Sequence, residues 1–168
     1  MNSTIITNII RFILLVIVQV VIFNHIDLFG FINPFPYILF ILLFPVNSNR
    51  AALLVASFLL GLSIDYFENS GGVHATASLV LAYLRPSFFK FAFGLSYEYQ
   101  TIRINDRISP ERLTFIVISI ITHHIILFTL EFFKFVFLLD ALIRTLCATA
   151  FTLIISITLI YLFKPSKR

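Results

Sequence analysis

From Leu113 to Leu130 the chain passes eighteen residues without an Asp, Glu, Lys or Arg, and similar runs recur along its length. A helix rises 1.5 Å per residue, so roughly 20 mostly apolar residues match the hydrocarbon layer of a bilayer. Six such segments can be marked, at about 9–23, 34–46, 51–67, 73–93, 113–133 and 141–163. Only 12% of the 168 residues are charged and 60% are hydrophobic. A soluble domain carries about 25% charged residues, and a chain so poor in them cannot cover a water-facing surface. The expected fold class is an all-α integral membrane protein with about six transmembrane helices in one bundle. Residues 1–168 then form a single multi-spanning membrane domain.

Segment two is the shortest, with prolines at Pro34, Pro36 and Pro45. It is expected to cross tilted, or to thin the bilayer locally. The first run follows Arg11 without a small-residue cleavage site after it, and is read as a retained helix rather than a removed signal. The stretch from Tyr97 to Glu111 is the longest polar one.

A net charge of +4 raises the question of nucleic acid, but the basic residues do not cluster in runs. Topology explains them better. With six spans both termini lie on one side. Arg11, Arg50, Arg85, Lys90, Arg103, Arg107, Arg112, Lys164, Lys167 and Arg168 then share that side, against Lys134 and Arg144 on the other. Cytoplasmic loops are rich in Lys and Arg, so both termini are expected in the cytoplasm and no nucleic-acid partner is expected. Cys147 is the only cysteine, which leaves no disulfide within the chain and no cysteine-based metal site.

Small residues let helices approach closely in lipid. Segment three carries Ala52, Ala56, Ser57 and Gly61, segment four Ala75, Ser78 and Ala82, and segment six Thr145, Ala148, Thr149 and Thr152. These three are expected to form the tight centre. Segments one and two lack small residues and are expected to face lipid or a partner's helices.

Ionisable groups within the membrane are the informative ones. His123 and His124 fall ~15 Å into segment five, near the midplane. Glu131 lies ~27 Å above Leu113, and Arg144 ~28 Å above Phe163, so the two can pair across a short outer turn. Asp65 and His74 end segment three and begin segment four on that same outer side. A proton relay is one reading; a structural ion pair with two hydrogen-bonded histidines is the other, and is preferred. Adjacent histidines on a helix point ~100° apart and chelate one metal poorly. Asp65 and Glu68 are the only close carboxylates, and they lack a supporting nucleophile or phosphate loop. No catalytic, cofactor or metal site is expected. Phe88, Phe89, Phe91 and Phe93 flank Lys90, and either lie along the membrane interface or extend segment four.

Two stretches resemble a known family. One runs Gly61-Leu-Ser-Ile-Asp65-Tyr-Phe-Glu-Asn-Ser-Gly71-Gly-Val-His74-Ala75, then Leu81-Ala-Tyr83-Leu-Arg85-Pro86; the other holds Thr122-His123-His124, Leu130-Glu131 and Arg144-Thr-Leu. Together they resemble the rod shape-determining protein MreD family, in particular its Bacteroidota-like members, over most of the chain, with a departure at Gly72. The resemblance implies a bundle like the substrate-binding subunit of energy-coupling-factor transporters. It implies a non-catalytic scaffold in the inner membrane, supporting cell shape and peptidoglycan synthesis. Its partner would be an MreC-like bitopic protein, and through it the actin-like MreB, a RodA-type glycan polymerase and a penicillin-binding transpeptidase. The competing reading is a small-solute binding subunit of a transporter. Such subunits dock a coupling protein through small residues on the first helix, which segment one lacks.

Overall fold

A computed structural model describes residues 2–30, 32–46, 48–94, 109–132 and 138–162. Most of the polar stretch after Ser96, the turn bearing Lys134 and the tail from Lys164 to Arg168 lie outside the described residues. The elements are α1 (Asn2–Val21), a 3-10 turn (Phe23–His25), a second 3-10 turn (Pro36–Ile38) running into the single-turn α2 (Leu39–Leu42), α3 (Arg50–Glu68), α4 (Val73–Phe93), α5 (Pro110–Glu131) and α6 (Leu138–Leu162). The described chain is all-helical apart from one isolated bridge between Leu28 and Ile32.

Four stretches are long and apolar enough to cross a membrane: Ile5–His25, Arg50–Glu68, Pro110–Glu131 and Leu139–Leu162. The 21-residue α4 matches them in length but carries Arg85 and Lys90. It continues through Pro86 to Phe93, where Gly94 ends it, so the phenylalanines extend the helix. Phe89 packs inward, stacked on Phe115 of α5 at 4.2 Å, while Phe91 faces outward. Local chemistry sets the other ends. Asn49 caps α3 through its side chain on Ala51 N–H at 2.8 Å. Ser109 and Pro110 start α5, and Asn69 takes the left-handed conformation that closes α3.

Helices α3, α4, α5 and α6 pack in sequence, each on the next. The joint between α3 and α4 is the closest. A Cβ added at Gly61 would fall 2.5 Å from Ala75 Cα and onto the His74 carbonyl, so only glycine fits there. The small residues of α6 are buried as expected, Thr145, Ala148, Thr149 and Thr152 among them. They serve contacts to α5 and the α2 segment, however, not a shared centre with α3 and α4.

Segment two corrects the expectation that it faces lipid or a partner's helices. Residues Phe35 to Leu42 are all buried, with Tyr37, Ile38, Ile41 and Leu42 wholly inaccessible. The segment threads the bundle as a broken helix. Its prolines prevent a continuous helix, and unpaired backbone polar groups cannot face lipid, so it must run inside protein. Side chains satisfy that backbone at both ends. At one end Gln19 donates to the Pro34 carbonyl at 3.1 Å, and Phe35 N–H donates to Thr152 Oγ1 at 3.0 Å. At the other, Arg11 donates to the Leu43 carbonyl at 3.0 Å, and Arg85 to those of Leu42 and Phe44. Segment one leaves Ile10, Ile13 and Ile17 exposed, while Leu15, Gln19 and Phe23 turn inward.

Candidate functional site: a polar cavity and a buried hydrogen-bond chain

A cavity of about 680 Å³ opens at the end of the bundle where α1 finishes and α6 begins. Every element at that end contributes. Asn24 and His25 follow α1; Asn33 and Phe35 come from the broken segment; Glu68 closes α3; His74 opens α4; Phe128 and Glu131 come from α5, and Arg144 from α6. Its volume is that of a small-molecule site.

Asp65 does not line it. The carboxylate is buried and accepts three hydrogen bonds, from His74 N–H at 2.9 Å, Ala75 N–H at 2.8 Å and Ser70 Oγ at 2.5 Å. An acid on the first N–H groups of α4 satisfies donors that the helix leaves open and meets its positive end. Asp65 therefore fastens the turn between α3 and α4. The α3 carboxylate facing the cavity is Glu68, one turn further on.

From Glu68 a chain of contacts runs inward. His74 Nε2 lies 2.7 Å from Glu68 Oε2, and His74 Nδ1 lies 2.9 Å from Tyr37 Oη. Tyr37 Oη lies 2.9 Å from His123 Nε2. A carboxylate only accepts, so His74 Nε2–H donates to Glu68. With a neutral ring, Nδ1 then accepts the Tyr37 hydroxyl proton, and Tyr37 accepts from His123 Nε2–H. Every donor points toward the cavity. His123 Nδ1 is left without a partner among the described residues. The chain meets the cavity at Glu68 and His74.

Of the residues expected to matter, the structure unites His74, Glu131 and Arg144 around the cavity. His123 joins through Tyr37. His124 turns away to Thr149 Oγ1 at 2.9 Å, so the adjacent histidines serve different partners, their ring planes 79° apart. Gly61 and Asp65 build the α3–α4 joint. Arg85 caps the broken segment, its guanidinium 4.8 Å over the Phe89 ring. Arg144 lies 5.0 Å over the Phe132 ring, and its charge acts on Glu131.

Sequence reasoning missed Tyr37, Gln19 and Glu68 as site residues. Gln19 had a signal, as the one amide side chain within the first apolar run. Tyr37, between Pro36 and three apolar residues, had none that periodicity could reveal. No protein-family model, no curated protein and no solved structure matches this chain.

Proposed function

We propose that this membrane protein is a non-catalytic scaffold subunit of the bacterial cell-elongation machinery, seated in the inner membrane with both termini in the cytoplasm. Its direct partner is an MreC-like bitopic protein, which links it to an MreB-like filament, a RodA-type polymerase and a penicillin-binding transpeptidase. On this reading the broken segment counts as a crossing, giving six in a bundle like that of energy-coupling-factor binding subunits. The observation that carries the reading is the state of Asp65. The acid in the most distinctive stretch of the resemblance is consumed by three donors at a helix joint, and Gly61 packs on the facing backbone. Those residues build shape instead of chemistry. The exposed isoleucine stripe of α1 offers a partner helix a long apolar face.

A second reading, a solute-binding subunit of a transporter, is favoured by the cavity and by the broken segment beside it. Interrupted membrane helices commonly border substrate sites. Affinity purification in mild detergent with mass spectrometry separates the two. Recovery of an MreC-like bitopic protein is expected. Recovery of an ATPase pair in its place would overturn the scaffold in favour of the transporter subunit.

A further inference from the structure

The cavity holds an arrangement that scaffolding does not require. Glu68 and Glu131 bring two negative charges to it against one positive charge on Arg144, before either histidine takes a proton. Both carboxylates and the Arg144 guanidinium line the same cavity. Like charges beside apolar walls are costly, and a cation between them relieves that cost. Among the described residues no group of three His, Cys, Asp or Glu side chains could hold a metal ion. The aromatic rings that line the cavity, Phe35 and Phe128 among them, suit an organic ammonium group. Arg144 supplies a docking point for an anion on the same molecule.

We infer that the cavity is a binding site for a small zwitterion, with its ammonium group between Glu68 and Glu131 and its anionic group at Arg144. The chemistry is that of a primary amine a few bonds from a phosphate or carboxylate. A phosphoethanolamine-type lipid headgroup and a free amino-acid-like solute both present it. The inference goes beyond the scaffold reading and supplies the ligand class for the transporter reading. It concerns binding alone, so its failure leaves the co-purification result standing.

Binding also has a direct effect on the buried chain. An ammonium group that donates hydrogen bonds to Glu68 competes with His74 Nε2–H for the same carboxylate. Occupancy thereby reaches Tyr37 and His123 without any helix moving.

The test uses the full chain with Phe67→Trp, in bilayer nanodiscs of phosphatidylglycerol, which has no ammonium group. The chain has no tryptophan of its own, and Phe67 lines the cavity, so one fluorophore reports occupancy. Glycerophosphoethanolamine is the probe, and glycerol 3-phosphate, which lacks the amine, is the control. A saturable change with the probe, absent with the control, is expected. Glu68→Gln and Glu131→Gln should each weaken binding by about tenfold or more, the effect of losing one charge-assisted contact. Circular dichroism and size-exclusion profiles matching the parent establish that each variant is folded. If adding phosphatidylethanolamine to the nanodisc abolishes the titration, the ligand is a lipid headgroup. If the titration persists there, the ligand is a soluble solute. No saturable response, an equal response to glycerol 3-phosphate, or unchanged affinity in both folded variants would overturn the inference.

Discussion

The two ends of the broken segment meet charge in opposite ways. At the Phe44 end, Arg11 and Arg85 point their guanidinium groups at bare backbone carbonyls, and Arg85 is almost wholly buried. At the Asn33 end, Glu68, Glu131 and Arg144 surround open space. The first end uses charge to close a structure that lipid would otherwise forbid. The second gathers charge around open space, where Glu68 contacts His74, Arg144 lies over Phe132, and all three charged side chains also border the cavity. A membrane protein retains an ionisable group at a cost, so charges that border an open cavity invite a ligand. The same contrast appears within one turn of α3, where Asp65 is saturated by donors and Glu68 is not.

The largest expected effect lies in the sealed part. Gly61→Leu should abolish folded yield in detergent, because the added side chain must occupy the His74–Ala75 backbone. Leu14→Ala, on the partly exposed α1, should retain most of it. Comparable yields for the two variants would remove the α3–α4 joint from the sealed region.

The charge pair at the cavity mouth comes next. Leaving one charge of a buried pair alone costs about 3–5 kcal/mol, but an exposed pair is worth less than about 1 kcal/mol. Glu131 is exposed at the cavity, so Glu131→Gln and Arg144→Gln should each lower the melting temperature only moderately. The swap of Glu131→Arg with Arg144→Glu should recover part of the loss. Full additivity of the single losses in the swap would show that the two residues do not act on each other. Losses as large as that of Gly61→Leu would move this pair into the sealed part and blunt the contrast between the ends.

Tyr37→Phe sharpens the boundary between the regions. It keeps the ring and removes the hydroxyl that joins His74 to His123. Each buried partner left unsatisfied costs about 1–3 kcal/mol, partly offset because no hydroxyl remains to be desolvated. A loss of about 1–2 kcal/mol in reversible unfolding is the expected net. The NMR signals of the His74 and His123 rings should shift together in this variant. A shift confined to one ring would break the chain into separate contacts.

Much of this architecture was legible in the residues. The apolar runs located α3 and α4 to within a residue, and the small side chains of Gly61 and Ala75 marked the closest helix approach. Helix α1 begins seven residues before its apolar run because hydropathy marks where lipid begins, and a helix can start in the polar layer outside it. The broken segment was the main failure. A stretch buried on all sides has no polar face, so its sequence reads the same whether lipid or protein surrounds it. Its burial depends on Gln19, Thr152, Arg11 and Arg85, up to 117 positions away in the chain. The site suffered for the same reason. His74 and His123 were visible as intramembrane histidines, but the tyrosine joining them sits on the segment that was misplaced.

The contrast between the two ends is tested most directly by melting Arg85→Met and Glu68→Gln side by side in the same detergent. Arg85→Met strips the donors from the Leu42 and Phe44 carbonyls, at about 1–3 kcal/mol for each. Glu68→Gln keeps an acceptor oxygen for His74 Nε2–H. The expected result is a melting temperature several degrees lower for Arg85→Met and nearly unchanged for Glu68→Gln. A stable Arg85→Met beside an unstable Glu68→Gln would contradict the assignment of structural charge to one end and ligand-facing charge to the other.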